Sequence, residues 1–379
     1  MIKILADENI PYGIDAFSTL GTVQLVAGRA ISQEMLKDKD ALIVRSITKV
    51  NKELLSGTAV RFVGTCTIGE DHVDKQYLEE QGIAFSSAPG CNADSVADYI
   101  TGALLLLENH FSLALSQMTL GVVGVGNVGS RVVKRAQALG MTCILNDPPL
   151  AEKNGNSGYA SLEEIVKCDI ITFHTPLIKE GKWPTRHLVN EAFIASLKPE
   201  TIIINTARGA VADNAALKSA LRSNRIRAAV LDVWENEPSI DPELLALTFL
   251  GTPHIAGYSF DGKVNGTTQI YASLCSFLGV DAQWKADAVM PPPLCPEVTV
   301  DPDDPNCLLH AVSKVYDFKE DDSRMRELCS LPPDKIGVHF DLLRKQYPVR
   351  REFHNTSALL TRQDYALTSS LSGIGFTVT

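Results

Sequence analysis

The chain has no apolar run able to cross a membrane. Its longest purely aliphatic stretch, Ala103 to Leu107, falls far short of the ~20 residues a bilayer helix needs. It also lacks an excess of positive charge. Lysine and arginine number 35 against 45 aspartates and glutamates, a net charge of −10, which argues against general nucleic-acid or anionic-membrane binding while leaving room for a local basic pocket. None of the eight cysteines forms a Cys-x-x-Cys pair, so no metal is expected and the thiols read as reduced, in a cytoplasmic protein. The amino terminus turns acidic at Asp7 and Glu8 and has no signal-peptide layout. At 379 residues, two or three globular domains are expected.

What is present centres on Leu120-Gly-Val-Val-Gly-Val-Gly-Asn-Val-Gly129. A short apolar strand runs into Gly124-x-Gly126-x-x-Gly129, and a helical pattern follows from Ser130 to Leu139. This is the setting of a dinucleotide-binding turn. Gly124 permits the turn, Gly126 lets the backbone approach a pyrophosphate, Gly129 lets helix and strand pack closely, and the helix N-terminus faces the phosphates. Three glycines alone also suit an ordinary tight turn. Asp147, eighteen residues beyond Gly129 at the end of the apolar run Met141 to Leu145, adds a carboxylate suited to the ribose hydroxyls of NAD and hostile to the 2′-phosphate of NADP.

Residues 1–95 alternate short apolar runs with helical segments, the pattern of an α/β domain with a mostly parallel sheet. Two of its strands end in polar loops, Arg45-Ser46-Ile47-Thr48-Lys49 and Thr65-Cys66-Thr67, which either face a ligand or simply cap the strands. A long helix from Cys91 to about Phe111 leads into the second domain, 96–257. There, three strand ends deliver Asn205-Thr206-Ala207-Arg208-Gly209, Asp232 with Glu237-Pro238, and Thr252-Pro253-His254. A Pro-rich stretch, 286–305, reads as a linker, and 306–379 as a further small α+β domain whose default role is oligomerisation.

For a 2-hydroxy acid beside NAD, Arg208 suits the carboxylate, because a guanidinium grips it bidentately. His254 suits the hydroxyl proton. Glu237 would orient the imidazole and stabilise the imidazolium. Each has a plainer alternative: Arg208 as a surface ion-pair partner, Glu237 as a solvated loop acid with Glu235 as its immediate rival, and His254 as a packed side chain like His174.

These residues resemble the D-isomer-specific 2-hydroxyacid dehydrogenase family. The resemblance runs over about residues 1–285, through Gly124-Val-Gly-Asn-Val-Gly129, His174-Thr-Pro-Leu177, Asn205-Thr-Ala-Arg-Gly209, Leu231-Asp-Val-Trp-Glu-Asn-Glu-Pro238 and Thr252-Pro-His-Ile-Ala256. It implies catalytic roles for Arg208, Glu237 and His254. It also implies cofactor contacts at Asn127, Val128, Asp147, Thr175, Thr206, Ala207, Arg208, Asp232 and Gly257. The implied fold is two Rossmann-like or flavodoxin-like α/β domains flanking a cleft, with about 258–285 returning to the first. The match narrows, through Val44-Arg-Ser-Ile-Thr-Lys-Val50, Gly64-Thr-Cys-Thr-Ile-Gly69, Ala88-Pro-Gly-Cys-Asn-Ala93 and His254-Ile-Ala-Gly-Tyr-Ser259, to a branch that oxidises a phosphorylated 2-hydroxy acid during pyridoxal 5′-phosphate synthesis. That branch implies substrate contacts at Ser46, Thr67 and Tyr258, and a C-terminal domain that makes a homodimer. Arg45 and Lys49 are the nearest cations for the phosphate. The basic pair Arg350 and Arg351 is a further candidate, against the plainer reading of a turn or an interface ion pair. The rivals are another phosphorylated-acid dehydrogenase of the 3-phosphoglycerate type and a non-catalytic NAD-sensing scaffold.

Overall fold

In the computed structural model, residues 1–155, 158–286 and 290–379 are described. The apolar runs of the first ninety residues form β1 (Ile2–Asp7), β2 (Gly21–Val26), β3 (Ala41–Val44), β4 (Phe62–Thr65) and β5 (Ala84–Ser86). All pair in parallel, in the order β2-β1-β3-β4-β5, so chain direction across the sheet reverses between β1 and β3. The central strands β3 and β4 are buried at every position because both faces are covered, whereas the edge strand β2 is partly exposed. Ile4, Ala6 and Ile43 pack with Phe17, Ile270 and Leu274, whereas Leu5, Leu42 and Val63 pack with Leu36, Leu54 and Leu78. Helix Phe260–Leu278 supplies Ile270 and Leu274, and its Thr267 hydroxyl donates to Pro11 O at 2.9 Å. Residues 1–92 and 259–292 thus make one compact unit.

The second unit comprises 93–258 and 293–379. Its main sheet holds β6 (Thr119–Val123), β7 (Thr142–Asn146), β8 (Ile170–Phe173), β9 (Ile202–Asn205), β10 (Ala228–Leu231) and β11 (Leu250–Gly251). The order is β11-β10-β9-β8-β6-β7, all parallel. The switch point lies between β6 and β8, where open α/β sheets bind their ligands. Helix Ala93–Phe111 buries almost every residue of its first four turns against this sheet and the C-terminal segment.

The carboxy-terminal quarter departs from the linker-plus-domain reading. The expected linker contains β12 (Glu297–Val300), which pairs in parallel with β13 (Ser357–Leu360), and β13 pairs with β14 (Thr377–Val378). Val298 and Val300 are buried while Glu297 and Thr299 face out, an alternation too brief to stand out among prolines. The linker's residues 287–289 lie outside the described set. Residues 306–379 share the core of the nucleotide-type sheet: Val312, Phe318 and Ile374 cluster with Leu104, Leu107 and Ala136. A buried Arg135–Asp98 ion pair reinforces the seam, and Asp98 also accepts the Phe353 N–H at 3.1 Å. A charge pair removed from water is stable only with its remaining lone pairs satisfied, which Phe353 does.

Candidate active site

At the end of β6 the chain turns at Gly124, with φ +87°, into helix Asn127–Ala138. A Cβ on Gly129 would come 2.0 Å from Gly124 O, so the helix can approach the strand only with glycine there. At Gly126 a Cβ would meet nothing within 4 Å. The backbone therefore faces open space at the start of a helix that has no side-chain cap, and the first-turn N–H groups remain available for an anion. The Asp147 carboxylate stands beside this turn. Its Oδ2 accepts the Val125 N–H at 2.8 Å and its Oδ1 caps helix Pro148–Asn154 through Leu150 N–H at 3.0 Å. The Thr175 hydroxyl is buried with no hydrogen-bond partner among the described residues, and its methyl lies against Gly124. An orphaned donor next to an open, uncapped helix start fits a dinucleotide such as NAD.

His174, between Gly124 and Thr175, is a core residue. Its ring nitrogens face the Thr172 hydroxyl at 3.0 Å and the Thr206 hydroxyl at 3.3 Å, and burial pushes its pKa down to about 3. It holds the turn and is uncharged at neutral pH, with a single ring proton.

The loop after β9 is shaped by Asn205, whose side chain accepts from Ala207 N–H at 3.1 Å and donates to Arg208 O at 3.0 Å. Gly209 follows with the Trp234 carbonyl pressed against it: a Cβ would meet that oxygen at 1.9 Å. The close approach brings the half-buried Arg208 beside the loop that follows β10. In that loop Glu237 accepts two bonds, from Trp234 N–H to Oε1 at 2.8 Å and from His254 Nδ1 to Oε2 at 2.8 Å. Burial pushes the Glu237 carboxyl up, but the charge and hydrogen bond of His254 and the Trp234 N–H outweigh it and hold the group below the usual range. Because a carboxylate only accepts, Nδ1 carries the proton and Nε2 is the ring atom open to proton transfer.

The two glutamates differ in what they touch. Glu235 turns the other way, accepting from His187 Nε2 at 2.7 Å and from Asn214 N–H at 2.9 Å. His254 itself is held in the left-handed region, φ +58°, by its N–H to Asp232 O at 2.7 Å. Asp232 is buried and spends its carboxylate on this loop: Oδ1 accepts from Thr252 Oγ1 and Ile255 N–H, both at 2.7 Å, and Oδ2 from Ala256 N–H at 3.0 Å. Burial pushes its carboxyl up. The structure thus gives Asp232 a loop-setting task beyond the cofactor contact that the family resemblance implies.

Arg350 and Arg351 do not form an exposed phosphate clamp. Arg350 is 7% exposed and lies 3.9 Å from the centroid of the Tyr316 ring. Its Nη2 donates to Ser95 Oγ at 2.8 Å, Ile255 O at 3.2 Å and Ala256 O at 2.9 Å. It seats the segment immediately after His254. Arg351 is also buried and donates to Asn355 Oδ1 at 2.7 Å. The fold places Arg344 instead near the site. It sits in the last turn of helix Pro333–Lys345, 5.5 Å from the centroid of the Tyr258 ring. The sequence offers no local signal for it, because only tertiary packing brings that helix to the loop.

In the first unit, exposed Ser46 follows β3 and half-buried Thr67 follows β4, adjacent strands of the sheet. The Thr67 hydroxyl lies 2.9 Å from that of Thr65, and Arg45 Nη1 donates to Asn9 O at 3.4 Å. Among the described residues no helix is long and apolar enough to cross a membrane, and no cluster of His, Cys, Asp and Glu could hold a metal ion.

Comparison with known proteins agrees with this geometry. Residues 106–256 match the family described as D-isomer specific 2-hydroxyacid dehydrogenase, NAD binding domain, and 289–375 match DUF3410, a domain of unknown function. The chain is 47% identical over 380 residues to an erythronate-4-phosphate dehydrogenase of Cronobacter sakazakii, covering 100% of this chain and 99% of the relative. It is 46% identical to that of Klebsiella pneumoniae over 377 residues, covering 99% and 98%. Among solved structures it resembles the NAD⁺-bound 3-phosphoglycerate dehydrogenase of Entamoeba histolytica (TM-score 0.64, 25% identity, 75% of this chain and 98% of that one). It also resembles the D-lactate dehydrogenase of Aquifex aeolicus complexed with NAD and lactic acid (TM-score 0.61, 27% identity, 73% and 95%).

Proposed function

The chain belongs to the erythronate-4-phosphate dehydrogenases, within the D-isomer-specific 2-hydroxyacid dehydrogenase family, and from this we propose that it oxidises 4-phospho-D-erythronate to (R)-3-hydroxy-2-oxo-4-phosphobutanoate with NAD, in pyridoxal 5′-phosphate synthesis. The observation that carries the chemistry is the 2.8 Å bond between His254 and Glu237, with the Arg208 loop packed against the same segment through Gly209. His254 Nε2 takes the proton of the C2 hydroxyl as the carbonyl forms, and Glu237 stabilises the resulting imidazolium. Arg208 grips the C1 carboxylate and fixes C2 before the histidine. NAD, when bound, accepts the hydride released from C2. Gly124, Gly126, Asn127, Val128 and Gly129 would hold its pyrophosphate, Asp147 its ribose, and Thr175, Thr206, Ala207, Arg208, Asp232 and Gly257 its remaining polar groups. Hydroxyls at Ser46, Thr67 and Tyr258 suit a polyhydroxylated phosphoester.

Two further readings accompany this one. The protein is a homodimer built through its C-terminal segment, supported by Val338 and Leu342, exposed one turn apart on helix Pro333–Lys345. It works in the cytoplasm, supported by eight free cysteines, several with thiols pushed up by burial. The deciding experiment is NADH production from a panel of 2-hydroxy acids. Preference for 4-phosphoerythronate supports the reading, whereas preference for 3-phosphoglycerate moves the substrate to a sister enzyme. A protein inert on every acid would favour an NAD-sensing scaffold. Light scattering reads the dimer: a monomer at micromolar concentration overturns it.

A further inference from the structure

A substrate charged at both ends needs two cations. Arg208 serves the carboxylate in the reading above, and the phosphate lies at the opposite end of the carbon chain. The arginines nominated for it by sequence within the catalytic unit are buried: Arg350, 7% exposed, holds Ser95, Ile255 and Ala256 through Nη2 and keeps its Nε and Nη1, unpartnered among the described residues, enclosed beside the Tyr316 ring, and Arg351 bonds Asn355. Arg344 is placed differently. It belongs to the same compact unit as Arg208, Glu237 and His254. Its guanidinium lies 5.5 Å from the centroid of the Tyr258 ring and 6.0 Å from that of Phe340, and Tyr347 meets Tyr258 edge-on at 5.9 Å. Its Nε is buried with no hydrogen-bond partner among the described residues.

The helix that carries it is docked on the catalytic loop. Gly337 lies against Pro238 and Ser239, where a Cβ would come 3.3 Å from Pro238 Cγ and 3.1 Å from Ser239 Oγ. The guanidinium is therefore anchored beside the residues that follow Glu237. A half-buried cation with an unused N–H, laid over an aromatic ring at a proposed substrate contact, is arranged to receive an anion. Its charge also acts on the carboxylates of Glu237 and Asp341, and helps hold Glu237 ionised.

We propose that Arg344 is the phosphate-recognising residue of this enzyme, supplied by the C-terminal segment of the same chain and oriented by the face of Tyr258. The assignment rests on the function proposed above and adds a specificity role for a segment whose matched family has no assigned function.

The test compares wild type, Arg344→Gln and Arg344→Lys on 4-phosphoerythronate and on unphosphorylated erythronate, following NADH. For Arg344→Gln, KM for the phosphorylated acid should rise at least ~30-fold with kcat within ~5-fold. The ratio of kcat/KM between the two acids should fall at least ~10-fold. Lysine keeps the charge without the fork and should recover the ratio to within ~5-fold of wild type. Equal losses on both acids would make Arg344 a prop for the loop and overturn the proposal, as would an unchanged KM. If the glutamine variant does not fold, Arg344→Met, which keeps an unbranched chain and removes the charge, decides on the same ratio. A wild type that does not favour the phosphorylated acid refutes the proposed function itself, an outcome distinct from a variant that leaves an existing preference intact.

Discussion

Replacing Glu237 by Gln keeps the size of the side chain and removes its charge, and the geometry makes that change severe. Both partners of Glu237 are donors, the Trp234 N–H and the Nδ1–H of His254, each at 2.8 Å. A carboxylate has two acceptor oxygens, but an amide has one, and its NH2 cannot face a donor. Glutamine must then abandon one of the two. If it abandons Trp234, a backbone N–H in a buried loop loses its partner at a cost of about 1–3 kcal/mol. If it turns its NH2 to His254, Nδ1 must accept, the ring proton moves to Nε2, and the atom that takes the substrate proton is blocked. Losing the charge-assisted bond alone removes about 1.5–3 kcal/mol from the imidazolium-like transition state, roughly 10- to 150-fold in kcat. The tautomer change extends this toward ~10⁴-fold, as in a serine-protease triad that loses its aspartate charge. We therefore expect kcat for 4-phosphoerythronate to fall ~10²–10⁴-fold with KM within about threefold, because Glu237 acts on His254 and not on the substrate. Glu235→Gln is the control, with kcat expected within about fivefold of wild type, since Glu235 serves His187 and Asn214. An Glu237→Gln enzyme within threefold of wild type, or a larger loss from the Glu235 variant, would refute the assignment.

Gly209→Ala should cost at least ~2 kcal/mol in urea unfolding and lower kcat/KM, because its Cβ would meet the Trp234 carbonyl at 1.9 Å and part the Arg208 and Glu237 loops; a variant as stable and active as wild type would show that the two loops are not so coupled. Gly126→Ala adds its methyl into open space, so its melting temperature should match wild type within a few degrees while NADH binding, followed by fluorescence, weakens ~10-fold or more; unchanged affinity would remove the pyrophosphate from this turn. Glu237 also predicts a pH dependence of stability. Its folded carboxyl lies below the ordinary value of 4.5, so its contribution is present above that pH and is lost as pH falls through the lower folded value; the deficit of Glu237→Gln in urea midpoint should accordingly shrink in acid, and a deficit that grows there would contradict the sign.

The strands were legible because each is an apolar run closed by turn residues. Ala41–Val44 is a strand to the residue, and the run from Met141 to Leu145 differs from β7 by one position. The pairing of a histidine with a glutamate was legible through residue type and position at strand ends. What periodicity could not do was choose between Glu235 and Glu237, since two residues apart in a loop they differ only in which way the turn throws them. The burial of Arg350 and Arg351 was not legible, because adjacent charges in an acidic chain suggest solvent, while their burial depends on Tyr316, Ser95 and Asn355, remote or unremarkable in sequence. β12 was hidden by the prolines around it, and its partner β13 lies some sixty residues on. Arg344 was invisible for a related reason, since only the docking of Gly337 against Pro238 brings its helix to Tyr258.

The seating of the His254 segment by Arg350 has a consequence for how the molecule comes into being. The histidine leaves the ribosome nearly a hundred residues (350 − 254 = 96) ahead of the arginine whose Nη2 donates to the carbonyls of Ile255 and Ala256. Between the two, the growing chain must also make helix Phe260–Leu278, which belongs to the other compact unit. The catalytic unit is therefore begun, interrupted and finished only with the last strand, so a nascent chain halted at 285 carries every proposed catalytic residue but lacks the partners that seat their loop. Such distant closures slow folding and expose apolar surface while they wait. Competence thus waits on residues beyond Arg350, and a shortened version trimmed to the dehydrogenase motifs should aggregate rather than work.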